Sequence, residues 1–210
     1  IWKPYLILKT LKEKMADGDT LVFLDAACEI HDTGEKRWKE YLKCLEGFDC
    51  ILFDHENFFV RQLTKMDLLV HFSVDTDEEV LNRRQFMGGV QIIKKTAFTV
   101  PFYEKWFACC EQHKATLLND APSLRAERKD FIENRHDQAI LTLLCLQEDP
   151  ALKRSNDGEH FKILEQKEVY SRLPDWSDLH DFPFWARRNK KYAPPSLFIR
   201  IRRKISGFLN

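Results

Sequence analysis

A chain of 210 residues, 44% apolar and 31% charged, is long enough to bury a core and suits one domain of ordinary soluble composition. Its 33 basic residues balance 33 acidic ones, so no overall field draws it onto nucleic acid, and no nucleic-acid partner is expected. The six cysteines show no C-x-x-C spacing and sit mostly in apolar contexts, which points to free thiols, a reducing compartment and a cytoplasmic location. Neither a signal-peptide pattern nor a run of about 18 apolar residues is present, so no export and no membrane span is expected. The first residue is Ile1 rather than Met, which leaves room for a portion before it.

In chain order, "KPYLILKTLKEKMADGD" predicts an amphipathic helix with Pro4 in its first turn, Leu8, Leu11 and Met15 on one face, and Asp17, Gly18 and Asp19 stopping it. Residues 20–25 of "TLVFLDAACEI" predict a fully buried strand that ends on Asp25. A helix over "EKRWKEYLKCLEGF", ended by Gly47, and a second buried strand in "FDCILFD", ending on Asp54, follow. Thr64 and Asp67 resemble a capping arrangement for a short helix. "GGVQIIKK" predicts a strand opened by Gly88 and Gly89, "VPFYEKWFACCEQHK" a helix with Pro101 in its first turn, and "RHDQAILTLLCLQ" a helix with Asp137 as N-cap. Residues 166–196 carry Pro174, Pro183, Pro194 and Pro195 and predict loops. Continuously apolar strands alternating with helices imply an α/β fold with a mostly parallel sheet flanked by helices. Its ligand site would lie at the carboxyl ends of the strands, where Asp25 and Asp54 both fall.

Three stretches admit a chemical reading beside a structural one. Asp25, with Glu29 after it, serves either as a turn former or cap, or as an oxygen ligand for Mg²⁺ or Mn²⁺ against a diphosphate, with Ala26 and Ala27 small enough for close approach. The pair Gly88 and Gly89 serves a bulge, or clears side chains where a sugar or nucleotide lies against the main chain. His136, Asp137 and Gln138 open a helix, either as cap and neighbours or as a group of donors and acceptors that orients hydroxyls.

Taken in order, "WKPYLILKTL", "LVFLDAACEI", "LTKMDLL", "QFMGGVQIIKKT" and "RHDQAILTLL" resemble a family of bacterial-type glycosyltransferases with the GT-A fold, distantly similar to glycogenin-like sugar transferases. The resemblance covers roughly residues 1–145. It implies a Rossmann-like sheet whose N-terminal nucleotide-binding unit falls before Ile1, a nucleotide-sugar donor, and a glycan or lipid-linked acceptor in surface polysaccharide synthesis. It further implies that Asp25, Ala27, Lys65, Gly88 and Gly89 line the donor site and that His136, Asp137 and Gln138 act at the reacting centre. "FLDAACEI" matches the D-x-D metal motif, but Ala27 stands where the second carboxylate belongs, so only Asp25 carries over as a ligand of Mn²⁺ or Mg²⁺. His180 is the second metal candidate by position, with Arg187, Arg188, Lys190 and Lys191 near it for phosphate oxygens.

The expected layout is a glycosyltransferase domain over 1–196 and a basic amphipathic tail over 197–210. That tail is either a docking helix or a peripheral contact with the inner face of a membrane. Two other readings remain open: a phosphoesterase using Asp25, Asp54 and His136 around two metals, and a GT-A-like module without catalysis.

Overall fold

The computed structural model describes residues 1–169 and 180–186. The expected tail and the cluster Arg187, Arg188, Lys190 and Lys191 lie outside the described residues.

Helix α1 (Trp2–Glu13) buries Pro4, Ile7 and Leu11, one turn apart, while Leu8 and Met15 pack at the edge of the same core. Strand β1 (Thr20–Leu24) leads through a turn, in which the Cys28 amide donates to the Asp25 carbonyl at 2.8 Å, into the short β2 (Cys28–Ile30). A 3-10 turn over Asp32–Gly34 feeds α2 (Glu35–Cys44), and the chain leaves that helix through a turn closed by the Gly47 amide on the Cys44 carbonyl. Next come β3 (Cys50–Phe59) and three short helices, α3 (Val60–Leu63), α4 (Met66–His71) and α5 (Glu78–Leu81). Strands β4 (Arg84–Phe86) and β5 (Val90–Lys94) precede the two long helices α6 (Thr99–Gln112) and α7 (Asp137–Glu148). The described chain closes with β6 (Phe161–Leu164) and β7 (Phe184–Ala186).

The sheet is mixed, which corrects the expectation of a mostly parallel one. Its order is β1-β5-β3-β4 with β6 on β3; β1 with β5, β5 with β3 and β3 with β4 are antiparallel, and only β3 with β6 is parallel. A separate antiparallel pair joins β2 to β7. The reason for the error is physical. An unbroken apolar run reports that both faces of a strand are covered and says nothing about the direction of its neighbours.

Both faces of β3 are covered, whereas β1, expected to be fully buried and to reach Asp25, is an edge strand ending at Leu24 whose residues are exposed or half-buried. Cys50 and Leu52 point into a core built with α1, α6 and α7, whereas Ile51 and Phe53 point into a second core with Tyr41 and Leu45 beside α2's end, Val169 and Phe184. Leu52, Ile51 and Phe53 are fully buried, each worth about 1.5–3 kcal/mol relative to exposure.

The second strand does not stop at Asp54. It continues to Phe59, its exposure rising after Asp54, because β4 pairs alongside with a bulge between the Asp54 and Phe59 partners. Two expected caps are also displaced. The N-cap of α4 is Lys65 rather than Thr64, and its first amides are satisfied from a distance: Met66 donates to Glu127 Oε2 at 2.8 Å and Asp67 to Ser123 Oγ at 3.2 Å. The N-cap of α7 is His136, so Asp137 is the first helical residue.

Candidate functional site

Pairing of β1 with β5 and of β5 with β3 makes β1 and β3 run in the same direction, with the loop before β5 between their carboxyl ends. At that edge the Asp25 amide donates to the Gly89 carbonyl at 2.8 Å. Gly88 lies against the first turn of α7, since a methyl group placed on it would meet Gln138 Cβ at 3.4 Å. Asp25, Gly89, Gly88 and Gln138 therefore form a continuous row. Lys3, on the first turn of α1, places its Nζ 3.3 Å from Asp25 Oδ2, both side chains being largely buried.

A cavity of about 340 Å³ opens next to this row, lined by Ile1, Trp2, Lys3, Lys114, Leu118, His136 and Asp137, with the Ile1 amino group 3.9 Å from Asp137 Oδ2. Asp137 sits in the first turn of α7, where the positive end of the helix favours an anion, and its carbonyl accepts the Trp106 indole N–H at 2.9 Å. His136 holds φ 48° and ψ −121°, a left-handed φ that only Ser73 shares among the described non-glycine residues. Such a backbone costs about 1–3 kcal/mol and persists where its surroundings enforce it. The His136 ring is fixed from outside the cavity row, with Nε2 2.8 Å from Asp120 Oδ1.

Beneath the row lies a buried polar chain. Tyr103 OH donates to Gln91 Oε1 at 2.7 Å, and Gln91 Nε2 donates to the Gly88 carbonyl at 3.2 Å. Gln85 Nε2 and Thr142 Oγ1 both donate to the Gln138 carbonyl, and Thr142 Oγ1 accepts the Phe86 amide. Gln138 is 4% exposed and its Nε2 has no hydrogen-bond partner among the described residues, a state that costs about 1–3 kcal/mol unless something supplies an acceptor.

Asp25, Gly88, Gly89, His136, Asp137 and Gln138 are thus brought together. Ala27 is exposed in the turn after β1. Lys65 is 2% exposed, and its Nζ donates to Thr116 O, Asn119 Oδ1 and Ala121 O at 3.0–3.3 Å, pinning the segment after α6. His180 is exposed, ahead of β7. Asp54 is buried, with Arg84 Nη1 at 3.1 Å from Oδ2 and the Gln166 amide donating to Oδ1; burial pushes its carboxyl up, against the pull of those two partners. Lys3 and Lys114 are wall residues that motif reasoning did not single out, although Lys3 lies inside the quoted "WKPYLILKTL". Near them, burial pushes the Cys28 thiol up to about 11, with Lys3 opposing, so it stays protonated at neutral pH.

A divalent cation on Asp25 and His180 does not fit the described residues. Ala27 offers no side-chain oxygen, Glu29 Oε2 is 3.3 Å from His31 Nε2, and the Lys3 ammonium, 3.3 Å from Asp25 Oδ2, competes for that oxygen. Among the described residues, no three His, Cys, Asp or Glu side chains form a group able to hold a metal. The same finding removes the expected cluster of Asp25, Asp54 and His136 for a two-metal phosphoesterase.

No family model and no curated protein matches the chain. Among solved structures it is similar to the apo form of mouse xyloside xylosyltransferase 1, at 15% identity and a TM-score of 0.48, over 91% of this chain and 64% of that one. This chain therefore spans less than two thirds of that protein's length, and so distant a likeness carries no functional argument. No described helix is long and apolar enough to cross a membrane.

Proposed function

We propose that the chain is a glycosyltransferase that moves a sugar from a nucleotide-diphosphate donor to a glycan or lipid-linked acceptor in surface polysaccharide synthesis. The observation that carries this reading is that the Asp25 strand end meets the Gly88 and Gly89 loop and that loop meets Gln138, while Lys3, held by Asp25, lines a cavity together with His136, Asp137 and Lys114. Four of the five segments on which the sequence resemblance rests supply these residues apart from Lys114; "LTKMDLL" supplies none.

In this reading Gly88 makes room for the Gln138 side chain, whose Cβ lies 3.4 Å from where a methyl on Gly88 would stand, so that Gln138 can meet the donor sugar. Gln138 Nε2 donates to a sugar oxygen and so gains the partner it lacks among the described residues. Asp137 accepts from a sugar hydroxyl, its negative charge favoured by the helix start. As the anomeric C–O bond breaks, its electron pair goes to the diphosphate, the acceptor oxygen bonds to the anomeric carbon, and the acceptor proton is released. The fixed dipoles and charges around the cavity need no rearrangement to meet that developing charge.

Ala27 favours a second reading, a GT-A-like module that has lost catalysis. A panel of sugar nucleotides separates the two, with thermal stabilisation reporting binding and released nucleoside diphosphate reporting turnover. The expected result is stabilisation by one donor class and slow release of its diphosphate. Gly88→Ala should keep the melting temperature, because the added methyl makes only ordinary contact with Gln138, yet weaken donor binding by shifting the Gln138 side chain it touches. Stabilisation by no donor in the panel would refute the transferase reading.

A further inference from the structure

Asp25 and Lys3 place a cation where the metal of a D-x-D motif would bind. We infer that the cavity beside them takes a diphosphate without a divalent cation, with Lys3 and Lys114 supplying the positive charge and Asp25 acting as a positioning residue that holds Lys3. This rests on the transferase reading for the identity of the anion, but its test does not require turnover.

Three observations converge. Lys3 Nζ lies 3.3 Å from Asp25 Oδ2, and the two side chains are 13% and 15% exposed, so the pair is poorly screened and keeps its geometry better than a surface pair does. Lys3 and Lys114 both line the 340 Å³ cavity and bring two ammonium groups to one space, with Asp25 on Lys3 and the Asp137 carboxylate at the cavity's other wall. Lysine binds phosphate as a point charge and makes no geometric demand on the ligand, which suits two lysines carried on separate segments.

The opposite acid is missing as well. Ala27 is exposed at the position of the second carboxylate, and a dication beside Asp25 Oδ2 would have to displace the Lys3 ammonium. Magnesium is commonly held by one or two carboxylates together with substrate phosphates, so a single aspartate does not by itself forbid it. The Lys3 ammonium competes with it for Asp25 Oδ2.

The test is calorimetric titration of the full chain with inorganic pyrophosphate, once in EDTA and once in excess Mn²⁺, together with Mn²⁺ binding followed by electron paramagnetic resonance without pyrophosphate. We expect binding in EDTA that excess Mn²⁺ does not tighten, and no Mn²⁺ taken up by the protein alone. Lys3→Met should weaken pyrophosphate about tenfold in EDTA, Lys3→Arg should retain binding, and Lys114→Met, at an exposed position that folding does not need, should weaken it by a smaller factor of about three. Circular dichroism and melting confirm that each variant is folded, and Lys114→Met keeps the test alive should Lys3→Met not fold. Binding that requires Mn²⁺, or binding in EDTA that neither lysine variant weakens, would overturn the inference and leave the transferase reading intact. Absence of pyrophosphate binding in both conditions, with no donor stabilising the protein, would remove both.

Discussion

Lys65→Met separates a structural lysine from a donor ligand. Its ammonium, 2% exposed, donates to Thr116 O at 3.3 Å, Asn119 Oδ1 at 3.2 Å and Ala121 O at 3.0 Å, and lies 3.9 Å from an Asp67 carboxylate oxygen. A hydrogen bond to a charged group is worth about 1.5–3 kcal/mol, and three rather long ones from one ammonium fall at the lower end, which gives a loss of about 3–5 kcal/mol. Two backbone carbonyls lose the lysine donor, Asn119 Oδ1 keeps only the Ala121 amide, and the hold of α4 on residues 113–127 loosens, although Glu127 and Ser123 still cap that helix. For a domain of this size each kcal/mol moves the melting temperature by about 2–4 °C, so the variant should melt about 6–20 °C below the parent. Amide exchange should rise first in residues 113–121, while donor binding to the variant at low temperature should be unchanged. A melting temperature within about 2 °C of the parent combined with weakened sugar-nucleotide binding would refute this account and return Lys65 to the donor site.

Two further outcomes follow from the packing. Gly34 is buried under the 182–183 segment, and a Cβ there would stand 2.2 Å from the Pro183 nitrogen and 2.3 Å from its Cα, so Gly34→Ala should cost about 3 kcal/mol and release β7 from β2. Limited proteolysis should then cut near residues 180–186 and the fluorescence of Trp185, stacked 3.8 Å from His31, should change; an unaltered digestion pattern would contradict the clash. The His71 imidazole is held below its ordinary value of 6.5 by burial and by His113, whose ring centre is 4.4 Å away. A base with a depressed folded pKa gives stability that is present above its unfolded value and lost as pH falls through it, so the parent should lose more stability than His71→Gln between about pH 7.5 and about pH 5.5. Equal losses measured by urea denaturation would exclude that role.

The helices α1, α2, α6 and α7 and the strands β1, β3 and β5 were legible in the sequence because each is set by local rules: apolar spacing, Pro4 or Pro101 in a first turn, and Asp17, Gly18 or Gly47 at a stop. Asp25, Gly88, Gly89 and the His136, Asp137, Gln138 group were legible for the same reason, as residues at the ends of those elements. Strand direction was not. Burial on both faces fixes which strands are internal, but their order depends on how β5 enters between β1 and β3 and how β4 and β6 take the far side.

Long-range partners were equally hidden. Lys65 reads as a motif lysine until Thr116, Asn119 and Ala121 surround it, and Asp54 reads as a strand end until Arg84 and Gln166 hold it. The Asp25 strand end is written in residues 20–25, but the 3.3 Å approach of Lys3 across 22 positions is decided only when α1 packs on the sheet. Local backbone and burial preferences are properties of neighbouring residues. A charge's partner is set by the packing of whole elements, because electrostatic energy depends on distance in space and on exclusion of water.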